Sequence, residues 1–130
     1  MKILHLASFN GNIGDNANHS GFYSQLRKLN LILDIDELEI REFYWKKRQF
    51  DSSFVELVNE YDLLIVGGGN YFELWVEDSP TGTSVALPLN LLKKIKTPIL
   101  FNALGVDPGQ GVSESNIVKF QNFLDILIER

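Results

Sequence analysis

Apolar positions in this chain fall into short unbroken runs, separated by glycine-bearing turns and by stretches of helical spacing. Lys2 to Ala7 is the first such run, and it stops at a polar turn, Asn10-Gly11-Asn12-Ile13-Gly14-Asp15. Phe22, Leu26 and Leu29 then recur at i, i+4, i+7, the stripe of a helix that fades near Leu29-Asn30. Leu38 to Phe43 partly alternates, as an edge strand with one wet face does. Asp51 or Ser52 can cap a short helix carrying Phe54, Leu57 and Val58. Leu63 to Val66 is apolar on both faces, the mark of a central parallel strand, and runs into the turn Gly67-Gly68-Gly69-Asn70. Tyr71 to Thr83 is a loop longer than most connections of its kind. A helix is predicted from Ser84 or Val85, with Pro88 in its first turn and Lys93, Lys94 and Lys96 at its cation-favouring end. Ile99 to Phe101 is another strand, Asn102 to Val112 a second long loop, and Ser113 caps a last helix. That helix should turn Ile117, Phe120, Leu124, Leu127 and Ile128 inward.

Strand–helix units in succession predict an α/β fold, a doubly wound Rossmann-like parallel sheet of about four strands with right-handed crossovers. The apolar first and third strands belong in the middle and the alternating second at an edge, which gives the order 2-1-3-4. Neighbouring first and third strands bring the turns at Gly11–Asp15 and Gly67–Asn70 to one crevice, the usual ligand position in open α/β sheets. Ile99 to Phe101 reads as a buried strand yet falls at an edge. This predicts that the chain is the N-terminal part, residues 1–130, of a longer protein, and that alone it covers that edge by self-association or by crystal contacts.

Composition narrows the functions. At 130 residues, 45% apolar and 22% charged, the chain makes one ordinary globular domain. A net charge of -5 argues against nucleic acid and anionic membrane surfaces. No run approaches the ~20 apolar residues of a membrane helix. Without cysteine there are no disulfides or thiolate metal sites, and with a strand pattern directly after Met1 the expected location is cytoplasmic.

The first turn offers backbone N–H groups at a helix N-terminus, which favours an anion. Its GxxGD spacing does not meet the dinucleotide fingerprint GxGxxG. Asp15 is either the helix cap or a catalytic carboxylate. His19, one turn into the helix, is either an ordinary surface histidine or an acid, base or ligand contact. Gly21, in a helical stretch where glycine costs ~1 kcal/mol, is expected to pack closely on the sheet. Gly67, Gly68 and Gly69 are either a plain turn or a place of close ligand approach. Tyr71, Phe72 and Trp75, with Glu73, Glu77 and Asp78, suit a sugar, whose C–H faces stack on rings and whose hydroxyls donate to carboxylates. The same loop could equally pack on its own aromatics. No metal-ligand cluster is visible.

The turn GNIGDN, the later YDLLIVGGGNYF and then FNALGVDPGQG together resemble the polysaccharide pyruvyl transferase family, in order along nearly the whole chain. The resemblance implies the N-terminal domain of a two-domain enzyme similar in fold to GT-B glycosyltransferases. It implies transfer of a pyruvyl group from phosphoenolpyruvate to a sugar hydroxyl as a ketal, in exopolysaccharide biosynthesis, with no cofactor or metal. Its first glycine turn matches Gly11, Asn12, Gly14 and Asp15, its second Gly67, Gly68 and Gly69 beside Asn70, and its third Gly105. Basic donor-binding residues are expected in a C-terminal domain, so this chain alone should be inactive. Competing readings are a glycosyltransferase using a nucleotide sugar and a non-catalytic nucleotide- or sugar-binding domain.

Overall fold

The structure is a computed structural model and describes residues 1–10 and 12–129. Strands β1 (Lys2–Ala7), β2 (Asp34–Glu39), β3 (Leu63–Gly69) and β4 (Ile99–Leu104) form one sheet in the order β2-β1-β3-β4. Every pairing is parallel, with Leu4 opposite Asp36 on one side and Leu64 on the other, and Leu64 opposite Ile99. The helices are α1 (Ile13–Arg27), α2 (Arg41–Tyr44), α3 (Ser52–Val58), α4 (Leu89–Leu92) and α5 (Glu114–Ile128). This is the expected α/β, Rossmann-like arrangement.

Alternation along the two central strands divides their side chains between the sheet's faces. Leu4, Leu6, Leu64 and Val66 join Phe54, Val58, Leu92 and Phe123 of α3, α4 and α5 in one hydrophobic cluster. The opposite face carries Ile3, His5 and Ile65, all fully buried, and His5 packs against His19, Phe22 and Tyr23 of α1. A strand side chain that seals an apolar layer here is an imidazole.

Several boundaries differ from the sequence reading. The second strand is Asp34–Glu39 rather than 38–43, because its extent follows its ladder with β1: Asp34 N–H donates to Met1 and Ile40 N–H to Ala7. The glycines 67–69 are strand, not turn. The cap of α1 is Asn12, whose side-chain oxygen accepts from Gly14 N–H at 2.9 Å; Asp15 sits in the first turn, where its charge favours the helix end. Gly21 is exposed with open space where a Cβ would be, so close packing does not account for it.

No helix begins at Ser84. Buried hydroxyls of Ser79, Thr81 and Thr83 take over the backbone there: Ser79 Oγ donates to Thr83 O (2.6 Å) and Thr81 Oγ1 to Val85 O (2.8 Å). Helix α4 starts only after Pro88, whose carbonyl accepts from Leu91 and Leu92, both at 2.9 Å. In α5 the buried side chains are Asn116 and Phe123, while Ile117 (47% exposed) and Ile128 (82%) face away. Phe120, Leu124 and Leu127 pack against the core as expected, and the inward face is completed by Phe123, which joins the core cluster, and Asn116, which holds the long loop, in place of Ile117 and Ile128. Leu100 of β4 is 41% exposed, and among the described residues β4 pairs with β3 alone. No helix among the described residues is long and apolar enough to cross a membrane.

Candidate functional site

The C-terminal ends of β1 and β3 lie side by side, and the chain leaving β1 is tied at every step. Ser8 N–H donates to the Tyr71 hydroxyl at 2.7 Å. Phe9 N–H (2.9 Å) and Asn10 N–H (3.1 Å) both donate to Glu39 Oε2, which also accepts from the Asn10 side chain at 3.1 Å. Arg41 donates through its backbone to the other Glu39 oxygen at 3.1 Å and through its guanidinium to the Asn10 carbonyl. The Phe9 and Asn10 N–H groups at the start of the turn are therefore engaged by the protein's own carboxylate, and Gly14 N–H at the helix end by the Asn12 cap. Nothing in the sequence marks Glu39 and Arg41 as site residues: the partial alternation places the second strand at 38–43, and only its true extent, 34–39, brings them to this end of the sheet.

Tyr71 is buried, and its hydroxyl is pushed up to about 12, first by burial. The Ser8 N–H opposes that shift; the charges of Asp15 and Glu39 add to it, and Arg41 offsets them. Asp15, Glu39 and Arg41 thus all act on one hydroxyl. Gly11 lies outside the described residues, while Asn12 and Gly14 form the cap of α1 beside this cluster.

His19 is not a surface residue. It is 4% exposed, with Nε2 3.0 Å from the Ser8 carbonyl. A carbonyl only accepts, so Nε2 carries the proton and Nδ1 of a neutral ring is a lone pair. That Nδ1 has no protein partner among the described residues, and it lies along Gly68. A Cβ at Gly68 would stand 2.3 Å from His19 Cε1 and 2.7 Å from Nδ1, on a backbone at φ +94°. Glycine at 68 is what lets the imidazole edge approach the end of β3.

His5 lies edge-on to His19, with ring centroids 4.9 Å apart. Its Nε2 is 3.2 Å from the Gly67 carbonyl and so carries a proton, leaving Nδ1 to accept from the Tyr23 hydroxyl at 2.6 Å. The hydroxyl's single proton is used in that bond, so Glu37 Oε1, 3.4 Å from the Tyr23 oxygen, acts chiefly by charge. Burial lowers the His5 pKa to about 4, against the pull of the Gly67 carbonyl and with help from His19. Burial also pushes the Tyr23 hydroxyl up, and Glu37 adds to it. A histidine inside the apolar run of β1 was the visible signal of this layer.

The remaining glycines also meet protein atoms. A Cβ at Gly67 would strike the Asn102 carbonyl of β4, one at Gly69 the Tyr71 ring, and one at Gly105 the Asn70 carboxamide. At 67–69 the atoms that approach the backbone closely are the protein's own: Asn102, His19 and Tyr71.

The long loop divides. Phe72 turns into the core against Phe120, with centroids 4.8 Å apart. Trp75 and Glu77, with Glu73 and Asp78, instead line a cavity of about 730 Å³ facing residues 43–50, and neither Asp15, His19 nor Tyr71 borders it. Among the described residues no three His, Asp or Glu side chains are grouped to hold a metal. Compared with known proteins, the chain matches no family model and no curated protein.

Proposed function

We propose that this chain is the N-terminal, GT-B-like domain of a polysaccharide pyruvyl transferase-type enzyme. The observation that carries the reading is the meeting of the three glycine-led segments of that resemblance at one end of β1, β3 and β4. Gly68 abuts His19, the residue after Asn70 binds Ser8, and Asn70 covers Gly105. In this reading the crevice takes the saccharide, since Glu39 already occupies the Phe9 and Asn10 N–H groups and would repel phosphate there. His19 Nδ1 accepts the proton of the attacking sugar hydroxyl, with its tautomer held by Ser8. The hydroxyl oxygen adds to the enol carbon of phosphoenolpyruvate, the methylene carbon takes a proton, and a second hydroxyl displaces phosphate. Asp15 and Arg41 border the reacting groups, and the further cations that neutralise the donor come from a second domain.

The test is ketal formation by the full-length gene product from phosphoenolpyruvate and a saccharide, followed by the new methyl signal in proton NMR. His19→Gln should lower the rate by about 10²-fold or more, the scale of a lost general base. Asp15→Asn, which leaves the Asn12 cap intact, should also slow it. No ketal, or full activity in both variants, refutes the reading. Because Glu39 takes the Phe9 and Asn10 N–H groups, the specific alternative is a non-catalytic sugar-binding domain, which would bind saccharide and form no ketal.

A further inference from the structure

We propose that the cavity between residues 43–50 and the loop 73–86 is a second, preformed site that binds a neutral saccharide. At about 730 Å³ it has the size of a small-molecule site. Tyr44 and Trp75 contribute aromatic surface, backed by the stacked pair Phe43 and Phe50 with centroids 4.2 Å apart. Cations and carboxylates share the lining: Lys46 and Arg48 against Glu73, Glu77 and Asp78, with Arg48 already paired to Glu42 at 2.5 Å. So mixed a set of charges selects no strong anion or cation. It offers acceptors and donors to a ring bearing hydroxyls, while the aromatic surface takes that ring's C–H face. An aliphatic or aromatic ligand would leave the carboxylates without partners.

The wall carrying Trp75 is held from behind. The Asn116 carboxamide, buried on α5, donates to the carbonyls on either side of it, Leu74 and Val76, at 3.1 Å each. Lys46 and Asp78 on the lining are non-glycine residues at φ +56°, a conformation that persists only where surroundings enforce it and that gathers at ligand sites. The Trp75 indole N–H is buried with no acceptor in hydrogen-bond geometry. It lies close enough to Glu73 to favour that carboxylate's charged form, against burial and the Asp107 charge, which push the Glu73 pKa up. A donor left unpaired beside a partly desolvated carboxylate is an unmet demand that a hydroxyl bridging toward Glu73 relieves. Binding here needs only the cavity; the further step, that the bound sugar is part of the acceptor of pyruvyl transfer, rests on the function proposed above.

Trp45 and Trp75 are the two tryptophans of the chain, so heteronuclear NMR of the isotope-labelled protein reads both indole N–H groups, with Trp45, outside the lining, as an internal control. Titration with lactose and with methyl β-D-galactopyranoside should move the Trp75 indole and the amides of residues 73–78 to saturation, leaving the Trp45 indole in place. Glu77→Gln, at an exposed side chain that leaves the fold intact, should weaken lactose binding roughly tenfold, and Trp75→Phe should do so as read from the amides. No movement at near-saturating sugar, or movement unchanged by both variants, overturns the proposal. A parallel titration with phosphoenolpyruvate, read at the Ser8 and His19 amides, together with the ketal assay, separates the two readings. Sugar binding without ketal formation removes the transferase alone, and ketal formation without these shifts removes the cavity alone.

Discussion

His5 makes the stability of this domain depend on pH in a window where few groups titrate. The imidazole is fully buried, and its pKa falls from 6.5 to about 4 on folding. Between these values the unfolded chain binds more protons than the folded one, so stability rises with pH. The contribution is fully present above 6.5 and is lost as pH falls toward about 4. A difference of roughly 2.5 pH units corresponds to about 3 kcal/mol at most, of which about 2 kcal/mol is gone by about pH 5. Urea unfolding at a series of pH values measures this directly. The reference is His5→Gln, whose amide can still donate toward Gly67 and accept from Tyr23 but does not titrate. Other groups facing the ring are His19 and Tyr23 from α1 and Glu37 from β2. The wild-type protein should lose about 2 kcal/mol more than His5→Gln between about pH 8 and about pH 5. Parallel curves for wild type and His5→Gln would refute the assignment.

Gly68→Ala should destabilise the fold by about 3 kcal/mol, combining a strained φ with overlap on His19, and unchanged urea midpoints would refute the packing described. Glu39→Ala should cost about 2 kcal/mol by leaving the Phe9 and Asn10 N–H groups unpaired, and it should expose them to inorganic phosphate. Phosphate-dependent shifts of those two amides in the variant, and none in the wild type, are the expected NMR result. Thr81→Val removes the hydroxyl that joins Ser79, Thr83 and Val85, and should lower stability by about 2 kcal/mol in the same unfolding assay.

The strand order and the parallel sheet were legible because burial on both faces leaves a run such as Leu63–Val66 no polar positions, and because a glycine turn followed by helical spacing marks a crossover. The cap at Asp51 was equally local, its side chain accepting from Ser53 and Phe54 within three residues. Strand limits were less so: β2 takes its extent from its neighbour's ladder, and its own partial alternation pointed four residues too far along. In the same way Ser79, Thr81 and Thr83 read as loop polarity, although two of their hydroxyls take the carbonyls of Thr83 and Val85, beside the point where helical spacing places a helix start.

By itself the sequence determined which residues could meet: topology carries Asp15, His19, Gly68 and Gly105 to the same end of the sheet. Only the tertiary structure decided what they meet. Glu39 reaches the first turn from β2, Tyr71 folds back onto Ser8, and His19 turns beneath Gly68 to the Ser8 carbonyl. Trp75 and Glu77 leave that group for a cavity of their own, because Asn116 of α5, some forty residues on, grips the backbone beside them. Periodicity is a local property of the chain and survives in the sequence. Hydrogen bonds between distant side chains and backbone are chosen by three-dimensional packing, and no spacing along the chain records them.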